Sequence, residues 1–126
     1  LTPFYRRTFL GKIRSKSLDL FLMNKYNLNN KIEVDWLMGS CLLLKKETLE
    51  KVGMFDERYF MYFEDTDLCR KIKKNNLKVI YNPEAIVYHD HVRGSAKSSF
   101  IFLPFNKLAR MHVISWVKYS WKWRKD

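Results

Sequence analysis

"YFMYFEDTDLCRK", residues 59–71, passes from an aromatic run through an acidic triplet into a helical pattern. Glu64, Asp65 and Asp67 stand where that pattern begins. Leu68 and Ile72 are four positions apart, so they share one face of a helix and leave the charged positions on the other. The stretch therefore predicts an amphipathic helix over about 65–75, with three carboxylates in its first turn.

The acidic triplet has two interpretations. In the first turn of a helix, carboxylates accept hydrogen bonds from unpaired backbone N–H groups and meet the positive end of the helix dipole, which requires no chemistry. The aromatic run before it supplies an apolar neighbourhood, which raises carboxyl pKa values and lets a carboxylate act as a base near neutral pH. The residues alone leave both interpretations open.

Two segments before the triplet have clear patterns. The sequence VDWLMGSCLLLKK predicts an extended buried strand over 34–45, with Gly39 where the backbone bends or lets something approach closely. KETLEKV predicts a short helix over 46–52, which ends at Gly53.

A short amphipathic helix is predicted near 15–25, and the remaining predicted elements follow the triplet. KVIYNPEAIVYHDH predicts a second strand over 78–90, interrupted by a turn at Asn82 and Pro83 and ending on histidines. A last amphipathic helix is predicted over about 106–123.

The net charge of +11 is concentrated at the two ends of the chain of 126 residues. Lys and Arg outnumber Asp and Glu by seven to one in residues 1–31 and by six to one in 105–126, whereas 32–104 holds eleven of each. At 47% hydrophobic residues the chain can build one domain core. The division expected is a basic amphipathic lead segment over 1–31, a central part over 32–100 and a basic aromatic helix over 101–126.

Cysteine usage and hydropathy suggest a cytoplasmic location. Cys41 and Cys69 lie in apolar segments without metal-ligand spacing, so both are predicted to be buried free thiols in a reducing compartment. The apolar runs fall far short of the roughly 20 residues that cross a bilayer, and no signal peptide is predicted. Because the chain begins with Leu, we expect it to be a piece of a longer protein.

Residues 33–95 resemble the C-terminal half of family 2 glycosyltransferases, inverting enzymes of the GT-A type, and especially the rhamnosyltransferase-like enzymes of bacterial surface polysaccharide synthesis. The shared motifs run in order: Trp36 before a glycine-containing segment, the basic pair Lys45-Lys46, Gly-x-Phe-Asp-Glu at 53–57, an aromatic loop, Glu-Asp-x-Asp-Leu at 64–68, and Pro-Glu-Ala at 83–85 with His89 beyond. The resemblance implies an α/β (α+β) fragment of a nucleotide-diphospho-sugar transferase fold, with short strands and flanking helices.

The resemblance also implies roles for individual residues. Asp65 would be the general base that takes a proton from the acceptor hydroxyl, which then attacks the anomeric carbon with inversion. Glu64 would hydrogen-bond the acceptor, and Asp67 would cap the helix or hold Arg70. The residues that would contact acceptor or donor are Glu64, Trp36, Gly39, Ser40 and Tyr62. A core position is the alternative for Trp36.

A divalent metal, Mg²⁺ or Mn²⁺, is the cofactor that the resemblance implies. His89 would complete its coordination while the metal neutralises the departing nucleotide diphosphate. The alternative is a histidine at a strand end that hydrogen-bonds the backbone. His91 fits the family pattern less well, and His112 is assigned no role.

The nucleotide-binding half of the family, with its parallel strands and Asp-x-Asp metal motif, has no counterpart here. Asp65-Thr66-Asp67 has that spelling but follows the aromatic loop instead of a hydrophobic strand. We therefore expect an acceptor-side fragment that is inactive alone, and an exposed face that promotes self-association into homo-oligomers. The partners implied for the intact enzyme are a nucleotide-sugar donor and a glycan or lipid-linked acceptor.

The last helix combines Trp116, Tyr119 and Trp123 with several Lys and Arg residues, a composition that suits peripheral binding to the anionic inner face of a membrane. The alternative is a helix that packs in the core while its lysines stay solvated. A different function also fits these basic ends, namely a small nucleic-acid-binding or membrane-surface-binding module without catalysis.

Overall fold

A computed structural model describes residues 26–90 and 106–125 of the chain. The elements of the described part are β1 (Ile32–Glu33), α1 (Lys46–Val52), α2 (Glu64–Lys74), β2 (Ile80–Tyr81) and α3 (Lys107–Lys122). The chain thus forms a small unit of helices and short strands, in keeping with the mixed α and β class that the sequence predicted. The helix predicted near 15–25 lies outside the described residues.

The described helices begin and end where the sequence predicted, to within a residue, and a local capping contact marks one end of each. Helix α1 ends at Gly53, whose φ of 82° is left-handed and whose N–H donates to the Leu49 carbonyl. The side chain of Asn75 donates to the Lys71 carbonyl at the end of α2. Asn106 begins α3 by accepting a hydrogen bond from a backbone N–H in the first turn.

The prediction of two long strands over 34–45 and 78–90 is wrong. β1 and β2 are two residues each and pair antiparallel, and one further bond, from Val34 N–H to the Val79 carbonyl, extends the pairing. The chain then leaves the sheet and turns at 39–41. A strand persists only where a neighbour completes its backbone hydrogen bonds, and within the described ranges that neighbour covers 32–34 alone. The predicted turn after Asn82 is confirmed by the bond from Ala85 N–H to its carbonyl.

Helix α2 supplies more of the buried core than any other described element. Its inward face, predicted from Leu68 and Ile72, is confirmed, and Cys69 is buried beside them. Val34 and Val79 from the strand region complete this cluster, against which partly buried apolar side chains pack: Ile32, Trp36, Leu37, Leu44, Leu49, Val52, Leu77 and Tyr81. The first turn of α2 is therefore fixed on a packed base.

One of the two cysteine predictions is wrong. Cys69 is buried, and burial raises the pKa of its thiol. Cys41 is exposed, and nearby Leu43 is fully exposed. The burial expected for this segment depended on a strand, and without one the side chains of 38–43 largely face outward.

Candidate active site

Asp65 lies in the first turn of α2 and contacts the backbone of a segment far away in the chain. The Gly39 N–H donates to Asp65 Oδ2 at 2.7 Å. A methyl group on Gly39 would lie 3.3 Å from both Cβ and Oδ2 of Asp65, so this position brings backbone and carboxylate into tight contact. The sequence predicted a close approach at Gly39, and the structure brings it together with the predicted base.

The other oxygen of Asp65 is held within the helix. Oδ1 accepts from the Thr66 N–H at 2.6 Å and from the Thr66 hydroxyl at 3.2 Å. A carboxylate can accept about four hydrogen bonds, and the described residues supply three. The carboxylate is therefore oriented by fixed donors and keeps capacity for one more, such as a substrate hydroxyl.

Glu64 differs from its neighbour in its surroundings. Its Oε2 is buried and, within the part of the chain that the structure describes, has no hydrogen-bond partner. Burial, and to a smaller extent the charge of Asp65, raises the pKa of Glu64 above its ordinary value of 4.5. The raised carboxyl pKa that the sequence led us to expect beside the aromatic run is therefore found at Glu64.

Asp67 does not cap α2, nor does it hold Arg70, and that prediction is wrong. Its side chain is fully buried and accepts from Lys122 Nζ and from the indole N–H of Trp123, each at 2.8 Å. Arg70 instead donates to the hydroxyl of Tyr119 and lies 4.7 Å from the Trp123 ring. Asp67 thus joins α2 to the end of α3.

The aromatic loop enters α2 through two residues with left-handed backbone. Tyr62 and Phe63 both have φ of 69°, a region that costs free energy for bulky residues. Their rings contact His112, with centroids 4.8 and 5.5 Å apart, and Phe63 also lies 5.3 Å from Tyr119. Packing against α3 offsets the unfavourable backbone, and His112 therefore has a structural role that the sequence did not suggest.

Helix α3 also holds the backbone of this loop. The Ser115 hydroxyl donates to the Met61 carbonyl at 2.8 Å, and Lys118 Nζ donates to the Arg58 carbonyl at 2.8 Å. Ser115 is itself buried. The turn that presents Glu64 and Asp65 is therefore positioned by the last helix of the chain.

The other residues predicted for the cleft have different surroundings. Trp36 is half-buried and packs against the core cluster, which favours the core interpretation of this residue. Ser40 is exposed beside Gly39, and Tyr62 is half-buried against His112. The structure thus joins Gly39 to Asp65 by a direct contact, and it packs Trp36 against the core cluster.

His89 does not lie at a strand end, because the chain is irregular after β2, and its side chain is exposed. Across 26–90 and 106–125, no group of three or more His, Cys, Asp or Glu side chains is arranged to hold a metal ion. The described residues alone do not form a metal site.

Sequence reasoning missed Asp56, Lys122 and Trp123 as a group that supports the site. Lys122 Nζ lies 2.8 Å from Asp56 as well as from Asp67. A signal for this was present, since Ser115, Tyr119 and Lys122 are spaced by four and three positions and so lie on one face of α3. A lysine on the inward face of a helix indicates a buried acidic partner.

With this geometry established, comparison with known proteins shows that the chain is similar to glycosyltransferases. Two are rhamnosyltransferases, which confirms the predicted resemblance. N-acetylglucosaminyl-diphospho-decaprenol L-rhamnosyltransferase of Mycobacterium tuberculosis is 42% identical over 81 residues, which is 56% of this chain and 26% of that enzyme. Rhamnosyltransferase WbbL of Escherichia coli K12 is 35% identical over 88 residues, which is 68% of this chain and 30% of that enzyme.

A third relative is the low-salt glycan biosynthesis hexosyltransferase Agl10 of Haloferax volcanii, 30% identical over 46 residues, or 36% of this chain and 15% of that protein. The chain therefore spans less than a third of the length of the curated relatives described. No family model matches the chain. No solved structure matches it either. In the described residues, no helix has the length and apolar character of a membrane span.

Proposed function

We propose that this chain forms the acceptor side of an inverting glycosyltransferase of the GT-A type and that Asp65 is its general base. The observation that carries the proposal is the geometry of Asp65, whose carboxylate is oriented by Gly39 and Thr66 and still has capacity for one hydrogen bond. Similarity to three glycosyltransferases supports the reaction class.

In the proposed reaction the acceptor hydroxyl donates its hydrogen bond to Asp65. As its proton moves to the carboxylate, the hydroxyl oxygen attacks the anomeric carbon of the donor sugar from the face opposite the nucleotide. The bond from that carbon to the diphosphate oxygen breaks, and a nucleoside diphosphate leaves. The product has inverted anomeric configuration, and Asp65 holds one proton that solvent removes.

Glu64 is proposed to bind the acceptor. Its buried Oε2, which has no hydrogen-bond partner among the described residues, belongs to the residue next to the base and would accept a hydrogen bond from a sugar hydroxyl of the acceptor. Glu64 would thereby orient the acceptor hydroxyl toward Asp65.

The substrates proposed follow the names of the relatives. We propose a nucleotide-activated sugar, with rhamnose as the first donor to test, and a glycan or lipid-linked acceptor used in cell-surface polysaccharide synthesis at the cytoplasmic face of a membrane. One relative's name specifies a diphospho-decaprenol acceptor, which supports a polyprenol-linked substrate.

The metal is also a proposal. Mg²⁺ or Mn²⁺ would neutralise the diphosphate leaving group. His89 is exposed and would supply one ligand, with the others coming from outside the described residues. No part of the Asp65 chemistry depends on this assignment.

A donor-binding half would need a surface on which to pack. Several large apolar side chains outside α3 are exposed: Met38, Leu43, Ile86, Val87 and Tyr88. We propose that they face the nucleotide-binding half, since large apolar side chains left exposed on one part of a chain are suited to an interface with another part. Self-association through this face is expected when it is left uncovered.

The test is Asp65→Asn in a protein of the relatives' full length. We expect transfer from the nucleotide sugar to fall by at least about a thousandfold while donor affinity stays within about twofold, because the base is lost and the donor site is elsewhere. Asp35→Asn is the matched control, because that exposed carboxylate pairs with Lys73 away from the site. Undiminished turnover by Asp65→Asn would overturn the proposal. Loss of turnover in Glu64→Gln alone would assign the role of general base to Glu64.

A further inference from the structure

The outward face of α3 carries an apolar stripe. Ile114, Val117 and Trp121 are 52%, 52% and 62% exposed. Their spacing of three and four residues places them on the same side of the helix. We call Ile114, Val117 and Trp121 the outer stripe.

The outer stripe is not the set of aromatic residues that the sequence suggested for a membrane. Tyr119 lies 5.3 Å from the Phe63 ring, and Trp123 donates its indole N–H to buried Asp67. These two side chains hold α3 against the rest of the unit. The helix therefore packs inward with one face and still presents a second apolar face outward.

The charged side chains along α3 and in the turn after it are all basic. Exposed basic side chains lie along α3 and just after it: Lys107, Arg110, Lys118, Arg124 and Lys125. The sequence has no Asp or Glu from 106 to 125, and the one inward lysine, Lys122, is already paired with Asp56 and Asp67. Arg124 lies 4.9 Å over the ring of Trp121, so charge and apolar surface are adjacent.

We propose that the outer stripe enters the headgroup region of an anionic lipid bilayer, with α3 lying parallel to the membrane surface. The charged residues of 106–125 are all basic, which matches a uniformly negative surface better than the mixed charges of a protein surface. A tryptophan beside arginine is suited to the boundary between headgroups and acyl chains. The proposal deepens the proposed function, since a lipid-linked acceptor would be presented at that surface.

The same helix would then connect the membrane to the base. Through Ser115 and Lys118 it holds the loop before α2, and through Lys122 it holds Asp67, two positions from Asp65. Docking of the outer stripe would set the height of Asp65 above the headgroups. That arrangement suits an acceptor whose reactive hydroxyl stays close to its lipid anchor.

The experiment is sedimentation of the intact protein with vesicles of equal parts phosphatidylglycerol and phosphatidylcholine. We expect the wild type to pellet with these vesicles and to remain in solution with pure phosphatidylcholine. The variant Ile114→Ser, Val117→Ser, Trp121→Ser should bind at least about tenfold more weakly, since it lacks the apolar contact. The double variant Lys107→Gln, Arg110→Gln should also lose about tenfold, and added salt should weaken the wild type.

Matched controls use exposed residues elsewhere. Met54→Ser removes an exposed apolar side chain that belongs to no proposed interface, and Lys45→Gln, Lys46→Gln removes two exposed cations; both should bind vesicles as the wild type does. Equal pelleting of the stripe variant and the wild type would overturn the proposal. So would a thermal melting temperature that drops in the stripe variant, because the stripe would then be covered by other parts of the protein.

Two further measurements separate this proposal from its rivals. Filter binding of single-stranded RNA or DNA that is lost in the stripe variant, without any vesicle binding, would assign the surface to nucleic acid instead. Transfer to a short-chain, water-soluble acceptor without vesicles should be retained by the stripe variant and lost by Asp65→Asn. Failure of the membrane proposal would thus leave the soluble reaction intact, whereas failure of the proposed function would leave vesicle binding intact.

Discussion

The ammonium nitrogen of Lys122 lies 2.8 Å from a carboxylate oxygen of Asp67, and this contact joins the last turn of α3 to the first turn of α2. Asp67 is fully buried, so its charge depends on the partners that surround it. Lys122 also lies 2.8 Å from Asp56, at the start of the aromatic loop. One cation therefore contacts both ends of segment 56–67, which contains the proposed base.

Replacing Lys122 by Met should lower the free energy of unfolding by about 3 kcal/mol, because it leaves a buried carboxylate without its cation. The control is Lys118→Met, which removes an exposed lysine that donates to a backbone carbonyl and should cost less than about 1 kcal/mol. Urea unfolding of the purified proteins measures both. Equal losses of unfolding free energy in the two variants would show that the burial of Asp67 does not make its pair with Lys122 more stabilising than the exposed contact of Lys118.

Asp56 should make the protein sensitive to acid. A hydrogen bond from Arg58, followed by one from Lys122, holds the pKa of Asp56 well below its ordinary value of 3.8. Because the pKa of Asp56 is lower in the folded than in the unfolded state, its carboxylate stabilises the protein at pH values above the unfolded-state pKa. This stabilisation is lost as the pH falls below 3.8. The variant Asp56→Asn should be less stable at neutral pH by about 1 to 2 kcal/mol.

The difference between wild type and Asp56→Asn should shrink as the pH falls, which unfolding at a series of pH values would measure. Glu57→Gln, at the neighbouring exposed position, should leave that pH dependence intact. A constant difference across the acidic range would contradict the assignment.

Glu64 should have the opposite pH dependence. Because burial raises its pKa, the folded state holds the proton more tightly than the unfolded state, and stability falls as the pH rises above 4.5. Glu64→Gln should therefore gain stability relative to the wild type as the pH rises through the raised pKa, and it should gain little below 4.5. Glu50→Gln, at an exposed position on α1, is the comparison expected to show no such gain.

Gly39→Ala should affect turnover more than folding. The added methyl would lie 3.3 Å from Cβ and Oδ2 of Asp65, so the carboxylate must shift by a few tenths of an ångström. We expect kcat to fall about tenfold, since small errors in the position of a base are costly, while the free energy of unfolding changes by less than about 1 kcal/mol. Cys41→Ala, at an exposed nearby position, should keep the wild-type kcat. An unchanged kcat in Gly39→Ala would mean that the Gly39 contact does not position the base.

Local patterns in the sequence predicted the helices well. Gly53, Asn75 and Asn106 act on backbone groups only a few residues away, so the ends of α1, α2 and α3 could be located without knowing the fold. The strands were predicted less well, because alternation and apolar content indicate an extended chain but do not supply the neighbour that completes its hydrogen bonds. The exposure of Cys41 and Leu43 follows from that missing neighbour.

The sequence by itself determined that three carboxylates crowd the first turn of a helix behind an aromatic loop, and its ordered motifs indicated the enzyme class of the relatives. Only the tertiary structure gave the three carboxylates different surroundings. Asp65 meets a backbone N–H 26 positions away, Asp67 meets a lysine 55 positions away, and Glu64 is left with a buried oxygen. The reason is physical: helix periodicity and capping act within a few residues, whereas burial and ion pairing depend on which distant segments the packed core brings together.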